Sequence, residues 1–302
     1  MLRVLAALAF ATTLALPTED DRGRPVVILV HGRAMLDRDT AATRKMWLNA
    51  LTAGGKSITA LPLLSDRDVR VVWYADVLDP RSSAGCDYAS NDARARRNAT
   101  IDPDLKALVA TVGSLFDMIT SVVADTESIS HLRALSADAS FLGDSRKRCA
   151  SEQRVGDAID AARRDGRPVI LVAHSLGSLV AYDYLSARSD TGLVQRFITV
   201  GSIVGATELR QLLIGGDASD TLSRPAGVKS WTNIRHENDF FATSISIGRN
   251  VIATPPADEP DPHELVGYLR GSATAMEVLG SWCAAYNSKA PAGCSAVRQP
   301  PP

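Results

Sequence analysis

Ser175 stands in a sequence context that suits a nucleophile. It is the centre of the pentapeptide AHSLG (residues 173–177), which follows a β-branched apolar run and precedes residues with helical spacing. A serine hydroxyl attacks a carbonyl only with help from a base, an acid that orients the base, and N–H donors for the oxyanion. A sharp strand-to-helix turn exposes such a hydroxyl and requires small residues two positions either side, here Ala173 and Gly177. The alternative is a serine that only caps the helix.

Buried strands alternate with helices along the chain, and this alternation positions the pentapeptide. Such βαβ units predict a parallel sheet with helices on both faces. Reactive residues in such sheets lie at the carboxyl ends of strands, where Ser175 stands. The predicted strands are 24–32, 69–78, 167–175, 196–202, 229–239 and 249–253, and the predicted helices are 40–55, 157–166, 176–188, 206–216 and 264–280.

The pentapeptide in this context resembles the nucleophile turn of α/β-hydrolase-fold serine hydrolases of the esterase and lipase kind. The resemblance covers residues 24–280 apart from an insertion at about 80–150. Little chain would precede the first strand, so it implies a reduced α/β-hydrolase fold: a mostly parallel sheet of about six strands with a helical cap.

The order nucleophile, acid, histidine in that family implies the other catalytic residues. Asp239 stands just past the strand of residues 230–235, within the stretch 229–239 that runs into a loop, and precedes an apolar pair. It is therefore the expected acid, with Glu237 as the rival. His263 is the histidine that lies beyond the acid, in a loop before the final helix, and is the expected base. Ser175, Asp239 and His263 are thus the predicted catalytic residues.

Two backbone N–H groups are expected to hold the oxyanion. The N-terminus of the predicted helix directs N–H groups toward the serine, which makes Leu176 one donor. The resemblance implies the second, because in that family the residue after a His-Gly pair lends its N–H. The stretch VHGR (residues 30–33) matches, so the second donor is Arg33, and His31 is interpreted as a buried structural histidine.

The charge balance argues against a nucleic-acid binder, and the expected chemistry needs no cofactor. The 302 residues contain 33 Lys+Arg and 34 Asp+Glu, for a net charge of -1, and this balance argues against nucleic acid as a partner. No cysteine has metal-ligand spacing, and the proposed acyl transfer requires no metal or organic cofactor.

The N-terminus and the cysteines favour an exported protein. Residues 1–16 have the layout of a signal peptide, which predicts a secreted or periplasmic protein. Four cysteines are then an even set suited to two disulfides. The hypothesis pairs Cys283 with Cys294, which pins the tail of residues 281–302, and Cys86 with Cys149 at the base of the cap.

The apolar stretch of residues 104–125 predicts a long cap helix over the strand ends, able to make transient contact with a lipid surface. His131 falls in the same insertion.

The expected function is hydrolysis of small-molecule or lipid carboxylic esters through an acyl-enzyme. Two alternatives stay open: a thioesterase or peptidase with the same triad, and a catalytically silent binding protein that keeps the fold.

Overall fold

The centre of the protein is a parallel sheet of six strands. In this computed structural model the described residues are 21–301, except 34, 37, 61, 80, 91, 93, 96–139, 207–221, 255 and 287–289. The strands are β1 (Val26–Val30), β2 (Val69–Val72), β3 (Val169–His174), β4 (Arg196–Val200), β5 (Trp231–Arg235) and β6 (Arg249–Ile252). Their order across the sheet is β2-β1-β3-β4-β5-β6, and Val26 of β1 pairs with Val169 of β3.

Helices connect β1 to β2, β2 to β3 and β3 to β4, as is usual for parallel pairing. The helices of the described residues are α1 (Thr40–Gly55), α2 (Ala75–Leu78), α3 (Ser145–Arg164), α4 (Leu176–Ser186), α5 (Leu265–Arg270) and α6 (Ser272–Ala284), the last two of which follow β6. Two 3-10 turns cover Asp66–Asp68 and Ala292–Ala296.

Each face of the sheet packs on its own set of helices. Alternate side chains of a strand point to opposite faces, so Ile28 packs with residues of α3 and α4, while Leu29 packs with residues of α1, α5 and α6. Strands β1, β3 and β4 are buried throughout, which explains why their sequences are mostly apolar and rich in Val and Ile. The predicted fold class, a six-stranded parallel sheet with helices on both faces, is confirmed.

Two element boundaries differ from the prediction. The strand predicted for residues 69–78 ends at Val72, because the backbone N–H of Tyr74 donates to His31 Nε2 and the chain turns into α2. The helix predicted from residue 157 begins at Ser145, where the side chain of Asp144 caps the first backbone N–H groups.

The final helix is also two helices rather than one. Gly271 has φ -68 and ψ 133, an extended backbone conformation that ends α5 and starts α6. Glycine has the poorest helix propensity apart from proline, so the break falls where the continuous helix is weakest.

Both hypothesised disulfides are present. Cys86 is bonded to Cys149 and Cys283 to Cys294, with Cα atoms 5.5 Å apart in each pair. The first bond links the two ends of the insertion, and the second fixes the segment after α6. The leader (1–16), the cap helix (104–125), His131 and nearly all of the predicted helix 206–216 lie outside the described residues. Among the helices that are described, none is long and apolar enough to cross a membrane.

Candidate active site

Ser175 occupies a strained turn between β3 and α4. Its φ of 50 and ψ of -125 make it the one non-glycine residue with positive φ in the described part of the chain. Such a conformation costs about 1–3 kcal/mol. The turn is held by the N–H of Ser175, which donates to Val200 O at 3.1 Å, and by Ser178, whose N–H and hydroxyl both donate to Ser175 O. The backbone is therefore fixed on both sides of the hydroxyl.

The small residues around Ser175 are required by close packing. A Cβ at Gly177 would lie 2.2 Å from the carbonyl oxygen of His31, so α4 can approach β1 only with glycine there. A Cβ at Gly32 would lie 2.7 Å from His174 Nδ1 and 3.0 Å from Ser175 Cβ. The loop after β1 and the turn after β3 thus come together at the carboxyl edge of the sheet.

The structure brings the three predicted catalytic residues together. His263 Nε2 lies 2.9 Å from Ser175 Oγ, and His263 Nδ1 lies 2.9 and 3.0 Å from the two carboxylate oxygens of Asp239. These are hydrogen-bond distances, and the bonds run in series from the carboxylate through the imidazole to the hydroxyl. The arrangement suits removal of the serine proton by a neutral imidazole.

Asp239 is buried yet kept ionised. Its side chain is fully enclosed, and this burial favours the neutral form. Hydrogen bonds from His263, Tyr268 and the backbone N–H of Phe241 outweigh the burial and hold the pKa of Asp239 below its ordinary value. The rival acid, Glu237, is exposed on the same turn.

Tyr268 is a residue of this site that the sequence analysis missed. Its hydroxyl donates to Asp239 Oδ2 at 2.7 Å and accepts from the backbone N–H of His236 at 2.8 Å. Burial, and then the charge of Asp239, raise the pKa of Tyr268, so the hydroxyl stays protonated as a donor. The one signal was its position, five residues after His263 on an apolar helix face.

His31 shapes the loop after β1, as interpreted from the sequence. Its side chain accepts from the backbone N–H of Tyr74 at 3.0 Å and bonds Gly32 O at 2.6 Å, while the Tyr74 hydroxyl donates to His31 O. Burial lowers the pKa of His31 to about 4, so the ring is neutral near pH 7. These hydrogen bonds hold the His-Gly pair that precedes Arg33.

The two expected oxyanion donors lie on segments that meet at Ser175. Leu176 is the first residue of α4, and the first N–H groups of a helix have no partner inside the helix. Arg33 follows Gly32, whose Cα packs against the Ser175 turn. Its guanidinium lies 4.7 Å from the centre of the Phe241 ring, and that ring lies 4.9 Å from His263.

The described residues contain no group of three or more His, Cys, Asp or Glu side chains arranged to hold a metal ion.

An exposed apolar side chain lies next to the expected acid. Phe240, which directly follows Asp239, is 95% exposed.

Comparison with known proteins agrees with the fold. A model of the lecithin:cholesterol acyltransferase family matches residues 154–261, a little more than a third of the chain. The matched segment includes Ser175 and Asp239 and ends shortly before His263. No curated protein and no solved structure matches the chain. Together with the parallel sheet, the family match supports a lipase-like enzyme with the architecture of the α/β hydrolases.

Proposed function

We propose that this protein is a serine hydrolase that cleaves carboxylic esters, with lipid esters as the substrate class, through Ser175, His263 and Asp239. The observation that carries the proposal is the pair of 2.9 Å contacts that His263 makes, one with Ser175 Oγ and one with Asp239 Oδ2. A hydroxyl, an imidazole and a carboxylate bonded in series, with the hydroxyl on a strained strand-to-helix turn, form the arrangement that activates a nucleophilic serine.

The reaction begins with a proton transfer. His263 Nε2 takes the proton of Ser175 as Oγ attacks the ester carbonyl, and the carbonyl oxygen becomes an oxyanion. The backbone N–H groups of Leu176 and Arg33 donate to that oxyanion. The imidazolium then gives its proton to the departing alcohol, which leaves Ser175 acylated. Water attacks the acyl-enzyme by the same steps, and the carboxylic acid is released.

Asp239 orients and stabilises the base. With Nδ1–H of His263 donating to the carboxylate, the other ring nitrogen is free of its proton and faces Ser175 Oγ. Because its hydrogen-bond donors keep the pKa of Asp239 low, the carboxylate remains charged while the imidazolium forms.

The lipid class and a second candidate function rest on the family match. The name of that family denotes acyl transfer to an alcohol. The acyl-enzyme is common to both reactions, so an acyltransferase would differ from a hydrolase only in the acceptor, an alcohol instead of water, that attacks the acyl-enzyme.

The two disulfides suit an oxidising compartment, which supports the proposed secreted or periplasmic location.

The decisive experiment replaces Ser175 by alanine and follows hydrolysis of a p-nitrophenyl ester. We expect turnover to fall by about 10⁴-fold or more, with loss of labelling by a fluorophosphonate. Ser151→Ala is the matched control, because the Ser151 hydroxyl is buried in α3 and makes no hydrogen bond to any described residue. Full activity of Ser175→Ala would refute the proposal.

A substrate panel separates the alternatives. Esters of graded acyl length, a thioester and a peptide are compared under the same conditions, and an added alcohol tests transfer against hydrolysis. We expect the ester series to dominate. A thioester or peptide that is turned over faster than every ester in the series would assign the same triad to a different substrate class. A wild-type protein that is folded but does not react with fluorophosphonate would favour the binding protein.

A further inference from the structure

Two neighbouring residues bracket His263. Ser175 Oγ contacts the imidazole Nε2 at 2.9 Å, and the ring Nε2 of His174 lies 2.7 Å from the backbone carbonyl oxygen of His263. A carbonyl oxygen only accepts hydrogen bonds, so His174 must carry its proton on Nε2 and donate it. One short segment of the chain therefore holds both the backbone and the side chain of the residue proposed as the base.

The contact from His174 is made to a loop without regular secondary structure. His263 lies between the end of β6 and the start of α5, in irregular chain with several prolines. Its backbone N–H donates to Asp261 Oδ1 at 2.8 Å, which is a bond within the loop itself. The bond from His174 instead ties the loop to the turn that carries Ser175.

His174 is held in place by its own surroundings. The residue is 8% exposed, and its ring lies 4.9 Å from the ring of His263. On the other side, the bare Cα of Gly32 leaves room for Nδ1, since a Cβ there would lie 2.7 Å from it. The ring thus has little freedom to leave the carbonyl of His263.

The charge state of His174 fits a donor better than a second base. Burial, and then the neighbouring His263, lower the pKa of His174 to about 3. The ring is neutral near pH 7 and adds no positive charge beside the imidazolium that would form on His263 during the reaction.

We propose that His174 is a positioning residue, whose Nε2–H fixes the backbone of His263 at the distance from which the imidazole reaches Ser175 Oγ. The inference rests on the proposed function, because it takes His263 to be the base. Its physical basis is the sensitivity of proton transfer to geometry, where a displacement of about 1 Å lowers the rate by up to about 10²-fold.

The test compares two substitutions of similar size. His174→Gln keeps an N–H donor near the position of Nε2, whereas His174→Leu removes it. Hydrolysis of p-nitrophenyl butyrate is measured per active site, with sites counted by fluorophosphonate titration. We expect kcat of His174→Leu to fall by about 10- to 100-fold with KM within about twofold of wild type. The glutamine variant should regain most of the lost kcat.

Other outcomes overturn the inference. If both variants lower the melting temperature but keep the wild-type kcat per titrated site, His174 is only a packing residue. Equal losses of kcat in both variants would also exclude the donor role. A wild-type protein that neither reacts with fluorophosphonate nor hydrolyses the ester would instead refute the proposed function itself, and the inference with it.

A measurement on the wild-type protein avoids dependence on variant folding. NMR of ¹⁵N-labelled histidine distinguishes the two neutral tautomers of a ring. We expect His174 to be neutral near pH 7 with its proton on Nε2. A proton on Nδ1 would contradict the proposal, because Nε2 could not then donate to His263.

Discussion

The hydroxyl of Tyr268 and the carboxylate of Asp239 are joined by a 2.7 Å hydrogen bond between α5 and the loop after β5. The same hydroxyl accepts from the backbone N–H of His236, so one tyrosine fixes both the backbone and the side chain around the proposed acid. The segment that begins with His263 thus supplies the proposed base and a support for the acid.

Replacing Tyr268 by phenylalanine tests this support. A hydrogen bond to a charged group contributes about 1.5–3 kcal/mol. Its loss should raise the pKa of Asp239, lower kcat by about tenfold and move the acid limb of the kcat profile to higher pH. Tyr286→Phe is the control, because the hydroxyl of Tyr286 makes no hydrogen bond to any described residue. An unchanged pH profile for Tyr268→Phe would contradict the prediction.

A paired substitution decides which acid serves the site. Asp239→Asn keeps the shape of the side chain but leaves no negative charge to stabilise the imidazolium, so kcat should fall by about 10³- to 10⁴-fold. Glu237→Gln removes a charge from the exposed part of the same turn, and kcat should change by less than about twofold. Steady-state hydrolysis of a p-nitrophenyl ester measures both. A larger effect from Glu237 than from Asp239 would reverse the assignment.

Periodicity and burial in the sequence predicted the sheet, because strands buried on both faces have unbroken apolar runs. The same reasoning made β2 too long, because the residues after Val72 keep an apolar pattern although the chain leaves the sheet where Tyr74 bonds His31. Gly271 is the sequence signal for the break in the last helix, although the apolar pattern continues on both sides of it.

The candidate catalytic residues were predictable where residue type and their order along the chain leave few choices. Ser175 lies in a pentapeptide of small residues between a strand and a helix, and His263 is the one histidine beyond the expected acid. Tyr268 and His174 were not assigned roles, because each acts through a hydrogen bond to a residue brought near only by the fold.

Gly177 should tolerate no side chain. In Gly177→Ala the new methyl would lie 2.2 Å from His31 O, and α4 would have to move away from β1. We expect the free energy of unfolding to fall by about 3 kcal/mol or more. Gly192→Ala is the control for backbone strain alone, because Gly192 has φ +71 and no atom within 4 Å of the added methyl. It should cost about 1 kcal/mol. Urea unfolding measures both, and equal losses would show that the contact at Gly177 relaxes freely.

Removing each disulfide should destabilise the protein according to the length of chain that it closes. Cys86 and Cys149 are 63 positions apart, whereas Cys283 and Cys294 are 11 apart. In the chain-entropy description these loops correspond to about 4 and about 3 kcal/mol. Urea unfolding of the two double-alanine variants gives the comparison. A greater loss from the Cys283–Cys294 pair would exclude loop length as the dominant factor.

Acid should weaken the fold through two buried histidines. Burial lowers the pKa of His31 to about 4, and burial together with His263 lowers that of His174 to about 3, from the ordinary 6.5. Below pH 6.5 the unfolded chain binds protons at both rings while the folded protein does not. Stability therefore falls as the pH drops toward about 4, by up to about 1.4 kcal/mol per pH unit for each ring.

The variant His174→Gln provides the check on that slope. It has one fewer ring to titrate, so its free energy of unfolding should fall less steeply between about pH 6.5 and pH 4 than that of the wild type. Urea unfolding at several pH values, referred to about pH 8 where both rings are neutral in either state, measures the slopes. Identical slopes would rule out His174 as a source of the acid sensitivity.

The register that sets Val26 beside Val169 has a consequence for how the molecule is made. The first strand finds its central neighbour only after the chain has been synthesised through Val169, and such distant pairings form slowly. Ser175, Asp239 and His263 converge later still, when the chain beyond His263 has emerged from the ribosome. A nascent chain that ends before His263 therefore cannot contain the assembled candidate site.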